Sequence, residues 1–127
     1  MKLVLDERGS EVAGRLWDDA ARVVSSRIAY AEGRAVLALA RRSGRLPRGY
    51  QTARGSFDDA YDELEAVDVS DDVVRHAGDL AERHALRGYD AVHLASALAA
   101  AADDAVLVTW DDDLGRAARA EGLAIVP

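Results

Sequence analysis

The chain has 127 residues and a mass of 13.6 kDa, which is room for one ordinary domain but not for two full cores. Half of it is apolar, 31% is charged, and 23 acids against 16 basic residues leave a net charge of −7. This composition excludes a disordered acidic tail, a disulfide framework or thiolate site (there is no Cys), and a protein that holds nucleic acid by an overall positive field. No run reaches the roughly 18 apolar residues of a membrane span, and Met1-Lys2-Leu3-Val4-Leu5-Asp6-Glu7 turns acidic too early for a secretory signal. A cytoplasmic location without membrane contact is expected.

In chain order, Ser10 is placed as the N-cap of a helix carrying Val12, Leu16 and Trp17 on one side. Arg22 to Ser25 is a short β-type run. Ile28 to Arg42 has helical spacing, followed by a Gly- and Pro-containing loop around Pro47 and a second long helix over Tyr50 to Leu64. Ala66 to Val69 reads as a strand. Ser70 then caps a helix running to about His84, with Asp71 and Asp72 in its first turn. Gly88 is expected to break the chain before a helix over Tyr89–Ala102 that is apolar on nearly every side and therefore buried. Ala105 to Thr109 is the strongest strand pattern, followed by a short helix over Asp112–Glu121 and a last strand over Leu123–Val126. Alternating strands and helices predict an α/β domain with a mostly parallel sheet. Ligands in such sheets sit at the carboxyl ends of the strands.

Most acids fall at helix ends or on wet faces, and three depart from that pattern. Glu32 shares a stripe with Ile28, Ala35, Val36 and Leu39, while Arg27, Arg34, Arg41 and Arg42 supply the expected outer face. A carboxylate on a core face is costly unless paired, protonated or metal-bound. Asp90 opens the apolar helix and shares a stripe with Leu94, Ala97 and Leu98. Asp111 ends the best strand; Asp112 and Asp113 are available to cap the next helix, which leaves Asp111 to face the mouth of the sheet. Carboxylates gathered in one pocket repel, so such a group takes up a proton or holds a cation. Oxygen-only ligation suits Mg²⁺ or Mn²⁺, ions that polarise a phosphoryl oxygen and activate water. The residues alone therefore point to metal-assisted phosphoryl hydrolysis. His93 is read as a structural, hydrogen-bonded residue, and His76 and His84 as surface residues. Ser25-Ser26 has no matching base for a nucleophile, and no glycine-rich phosphate loop is present.

The three acids and their surroundings resemble the PIN domain, in particular the VapC-type ribonuclease toxins of bacterial toxin–antitoxin modules. The matching stretches are Ala21 to Glu32, Leu86 to Ala97 (with Arg87-Gly88-Tyr89-Asp90-Ala91-Val92-His93) and Val106 to Asp111. The resemblance covers essentially the whole chain and implies one PIN-like domain over residues 1–127, a three-layer α/β/α sandwich. It further implies a divalent-metal endoribonuclease with Glu32, Asp90 and Asp111 as catalytic and metal-holding acids, Asp113 as a fourth contributor, and Mg²⁺ or Mn²⁺ as the ion. Water, and not the 2′-hydroxyl, would attack phosphorus. An RNA substrate, a cognate antitoxin laid over the acidic site and a homodimer are the implied partners.

The family normally opens on a hydrophobic strand ending in Asp-Thr or Asp-Ser. Leu3-Val4-Leu5-Asp6 is followed instead by Glu7-Arg8-Gly9-Ser10, and Asp6 is too close to Glu32. The better register places Lys2 to Glu7 within the first helix, so that Met1 to Asp6 is read as the remainder of a helix, and leaves the central first strand outside the chain. Residues 1–127 alone are then expected to fold poorly and to be weakly active or inactive, because strand neighbours and one carboxylate would be missing. Two other readings stay open: a non-catalytic PIN-like module that only binds an antitoxin or another protein, and a different Mg²⁺-dependent phosphohydrolase built on Asp111-Asp112-Asp113.

Overall fold

The computed structural model describes residues 1–46 and 48–127; the loop expected around Pro47 thus falls partly outside the described residues. The order is α1 (Ser10–Asp19), β1 (Val24–Ser26), α2 (Ala29–Arg42), α3 (Tyr50–Glu63), β2 (Glu65–Val67), α4 (Asp71–His84), α5 (Gly88–Ala100), β3 (Val106–Val108), α6 (Asp112–Ala120) and β4 (Ala124–Val126). The expected α/β class is what is found. Among the described residues the strands form two separate pairs, β1–β2 and β3–β4. No helix among them is long and apolar enough to cross a membrane. The chain divides into two compact units, Met1–Val23 with Ile28–Glu65, and Val24–Arg27 with Ala66–Pro127.

The first unit is built on α1, α2 and α3. The buried face of α2 is Gly33, Leu37 and Ala40, so the expected apolar stripe is the wrong one: Ala35, Val36 and Leu39 are exposed and Glu32 is half-buried. Both stripes have helical spacing, and the difference is set by α3. Tyr30 stacks on Phe57 and tilts against Tyr61, and Phe57 presses on the helix where only Gly33 leaves room; a Cβ there would overlap its ring. Arg34, expected outside, is half-buried instead and donates to the Tyr30 hydroxyl at 2.7 Å, while that hydroxyl donates to Asp58 at 3.0 Å. Met1 to Asp6 forms neither a strand nor part of α1. It makes one helical turn, with Leu5 N–H donating to the Met1 carbonyl at 2.9 Å. Ser10 is not the N-cap, which is Gly9 with a φ of 95°. Its hydroxyl donates to the Leu5 carbonyl and accepts from the Glu7 N–H, both at 2.9 Å, and so ties down the preceding turn.

The second unit holds a continuous apolar core from Val73, Ala77 and Leu80 of α4, Ala91, Leu94 and Ala95 of α5, and Leu114, Ala117 and Ala118 of α6. Leu107 and Ile125 pack against it from β3 and β4. These strands are parallel, with Leu107 opposite Ile125, and the β3–α6–β4 crossover closes where Gly115 lets α6 approach Ile125. Ser70 caps α4 as expected, accepting from the Val73 N–H at 3.3 Å. The break after α4 is not made by Gly88, which opens α5. Ala85 takes the left-handed conformation (φ 53°) instead, and Leu86 N–H returns to the Ala81 carbonyl at 3.2 Å. The strain at Ala85 is offset by the burial of Leu86, which follows it into the core.

His84 is a further correction, since it is largely buried. Its Nε2 lies 2.6 Å from Oε1 of Glu121, which also accepts from Arg83 at 2.7 Å. The bonds from His84 and Arg83 hold the Glu121 carboxyl below its ordinary range. A depressed carboxylate adds stability that is complete above its unfolded pKa and is lost as pH falls through the folded one. Glu121→Gln is therefore expected to cost about 1 kcal/mol near neutral pH. The difference from the parent protein should shrink as pH falls through the lowered carboxyl pKa, as checked by urea denaturation at neutral and acid pH.

Candidate active site

Asp90 and Asp111 come from different elements of the second unit and meet on one guanidinium. Asp90 lies in the first turn of α5, where the helix dipole favours an acid, and its side chain is 20% exposed. Asp111 lies three residues past Val108, beyond the carboxyl end of β3, and is 38% exposed. Arg87, the residue preceding α5, donates from Nε to Asp90 Oδ2 at 2.8 Å and from Nη2 to Asp111 Oδ2 at 3.4 Å. The hydrogen bond that Arg87 donates to Asp90 raises the Arg87 pKa most, followed by the charge of Asp90 and then those of Asp111 and Asp113.

Asp111 differs from expectation in one respect. It is the N-cap of α6, its Oδ1 accepting from the Leu114 N–H at 2.8 Å. Asp112 and Asp113 do not cap, because they are already inside the helix. The two oxygens of Asp111 are divided: Oδ1 fixes the start of α6, and Oδ2 faces Arg87. The cap thus orients the site carboxylate instead of competing with it. Asp113 is exposed and pairs with Arg116 one turn on, at 2.9 Å.

Glu32 stands on α2 in the first unit, half-buried. Its expected place on a core face does not hold, so burial no longer singles it out. Among the described residues no group of three or more acids or histidines is disposed to hold a metal ion. Within the second unit Asp90 and Asp111 share the Arg87 guanidinium. His93 is half-buried on α5. The Ser26 hydroxyl is buried without a hydrogen-bond partner among the described residues.

Arg87 was not singled out by its sequence, although an Arg three residues before an Asp at a helix start carries the signal. The donor set of Asp90 and Asp111 is oxygen-only and partly open to solvent, and its present counter-ion is a guanidinium. That chemistry fits a hard divalent cation.

The family model for the PIN domain matches residues 1–120. Two relatives from Mycobacterium tuberculosis are each 42% identical to the chain over 128 residues: Ribonuclease VapC45 of strain CDC 1551 / Oshkosh and Ribonuclease VapC49 of strain ATCC 25618 / H37Rv. Each match covers 100% of this chain and 89% of the relative. No solved structure matches at a significant level. With the family model spanning nearly the whole chain and this identity over its full length, the protein belongs to the PIN-domain family.

Proposed function

We propose that this protein is a metal-dependent endoribonuclease, the toxin of a VapBC-like toxin–antitoxin pair, acting as one PIN domain in the cytoplasm and pairing with a second copy. The observation that carries the reading is the convergence of Asp90 and Asp111 on one cation, in a chain 42% identical to two proteins named ribonucleases. Asp90 and Asp111 would hold the metal with Glu32 as the further carboxylate, while Asp113 stays paired with Arg116. Bound there, Mg²⁺ or Mn²⁺ supplies Lewis-acid polarisation of a phosphoryl oxygen and a more acidic water. The cap on Asp111 keeps that carboxylate from turning away. Water attacks phosphorus in line and the 3′ oxygen leaves, so the 2′-hydroxyl is spared. The acidic mouth also suits Arg or Lys side chains of an antitoxin segment.

The test is incubation of the purified protein with RNA, with Mg²⁺ and with chelator. Cleavage that requires the metal and leaves 3′-hydroxyl and 5′-phosphate ends is expected. Metal-independent cleavage, or 2′,3′-cyclic phosphate ends, would count against the mechanism. A second reading, a PIN-like module that binds an antitoxin without cleaving RNA, is favoured by the departure of Leu3-Val4-Leu5-Asp6-Glu7 from the family's opening motif. Tight antitoxin binding without a calorimetric metal signal would decide for it.

A further inference from the structure

We propose that Arg87 is a tethered counter-ion of the Asp90–Asp111 pair, which a divalent cation must displace, so that Arg87 sets the metal affinity of the site. This inference rests on the reading of Asp90 and Asp111 as metal-holding residues. Arg87 reaches both carboxylates through two different nitrogens, Nε and Nη2, and the Oδ2 atom of each acid is the one engaged. These are oxygens that a metal would take, since Asp111 Oδ1 is committed to the α6 cap. Guanidinium and cation therefore compete for the same lone pairs. The tether is short: Arg87 stands three residues before Asp90, so the guanidinium stays near the pair at high effective concentration.

The contact is easily broken, which suits a counter-ion that must yield. Arg87 is 78% exposed, and its bond to Asp111 is long at 3.4 Å. Exposed pairs of this kind contribute little to folding, so removing Arg87 should leave the fold intact. Arg116 provides an internal comparison. It carries the same charge on α6 but is bonded to Asp113, not to the Asp90–Asp111 pair.

The test is calorimetric titration of Mn²⁺ into the full chain and into Arg87→Gln, Arg87→Lys, Arg116→Gln and Asp90→Asn, at low and at moderate salt. Arg87→Gln should tighten metal binding about tenfold at low salt and less at moderate salt, where the charge is screened. Arg87→Lys should fall between, because an ammonium cannot fork across two carboxylates. Arg116→Gln should change affinity by less than about twofold. Unchanged or weaker binding in Arg87→Gln overturns the proposal, as does an equal gain in Arg116→Gln, which would reduce the effect to net charge. The Asp90→Asn protein separates this from the underlying reading. If the parent chain binds Mn²⁺ and Asp90→Asn does not, the metal site stands and Arg87→Gln alone decides. If parent and Arg87→Gln both fail to bind, the metal site and the proposal fall together.

Discussion

Asp90→Asn is expected to lower metal-dependent RNA cleavage by about 10²-fold or more while leaving a folded protein. The amide keeps the size of the carboxylate and one oxygen, but it removes the charge that would hold the cation and that now holds Arg87 at 2.8 Å. Stability should fall by no more than about 1 kcal/mol, the usual worth of a first-turn acid near a helix dipole. Asp111 calls for a different pair of variants, because it has two roles. Asp111→Asn should lose cleavage to a similar degree and keep α6 capped, since asparagine caps as well as aspartate. Asp111→Ala should lose the cap as well, at about 1 kcal/mol of further destabilisation. Initial cleavage rates and thermal melts of the three proteins separate the roles. Cleavage retained within a few-fold in Asp90→Asn would remove Asp90 from the site, and equal melts for Asp111→Asn and Asp111→Ala would deny the cap.

The largest effect on folding is expected at Leu94. This side chain is fully buried in the core that α4, α5 and α6 share. Leu94→Ala removes three heavy atoms and leaves a cavity that packed helices fill only in part, so the expected cost is about 3 kcal/mol. That is a large share of the stability of a chain this size. Tyr89, five residues earlier on the same helix and 68% exposed, is the matched comparison; Tyr89→Ala should stay within about 0.5 kcal/mol. Urea denaturation of both variants tests the difference. A cost below about 1 kcal/mol at Leu94 would mean that the core is not packed around it.

Asp90 and Leu94 also illustrate what α5 does for the site. Both lie on one helix, one turn apart, with Leu94 anchoring the helix in the core and Asp90 at its open end. The strand–helix crossover does the same for Asp111, since the burial of Leu107, Leu114 and Ile125 fixes where β3 ends. Rigid, apolar elements thus deliver two carboxylates to the carboxyl end of a parallel strand, where open α/β sheets place their chemistry.

The amino-acid sequence by itself determined the order of helices and strands, the cap at Ser70 and membership of the PIN family, and it singled out Asp90 and Asp111, two acids that share one guanidinium in the structure. These are local signals: periodicity, a hydroxyl before an acidic first turn, a carboxylate at the end of an apolar run. Only the tertiary structure decided which of two equally periodic stripes of α2 is buried, because Phe57 against Gly33 is a contact with another helix. It also decided that His84 is buried on Glu121, that Ala85 turns the chain in place of Gly88, and that Arg87 holds Asp90 and Asp111 together. Spacing along a helix says which side chains share a face. It does not say which face meets a neighbour, nor which of several nearby charges a long, flexible guanidinium will choose, since both depend on residues far apart in the chain.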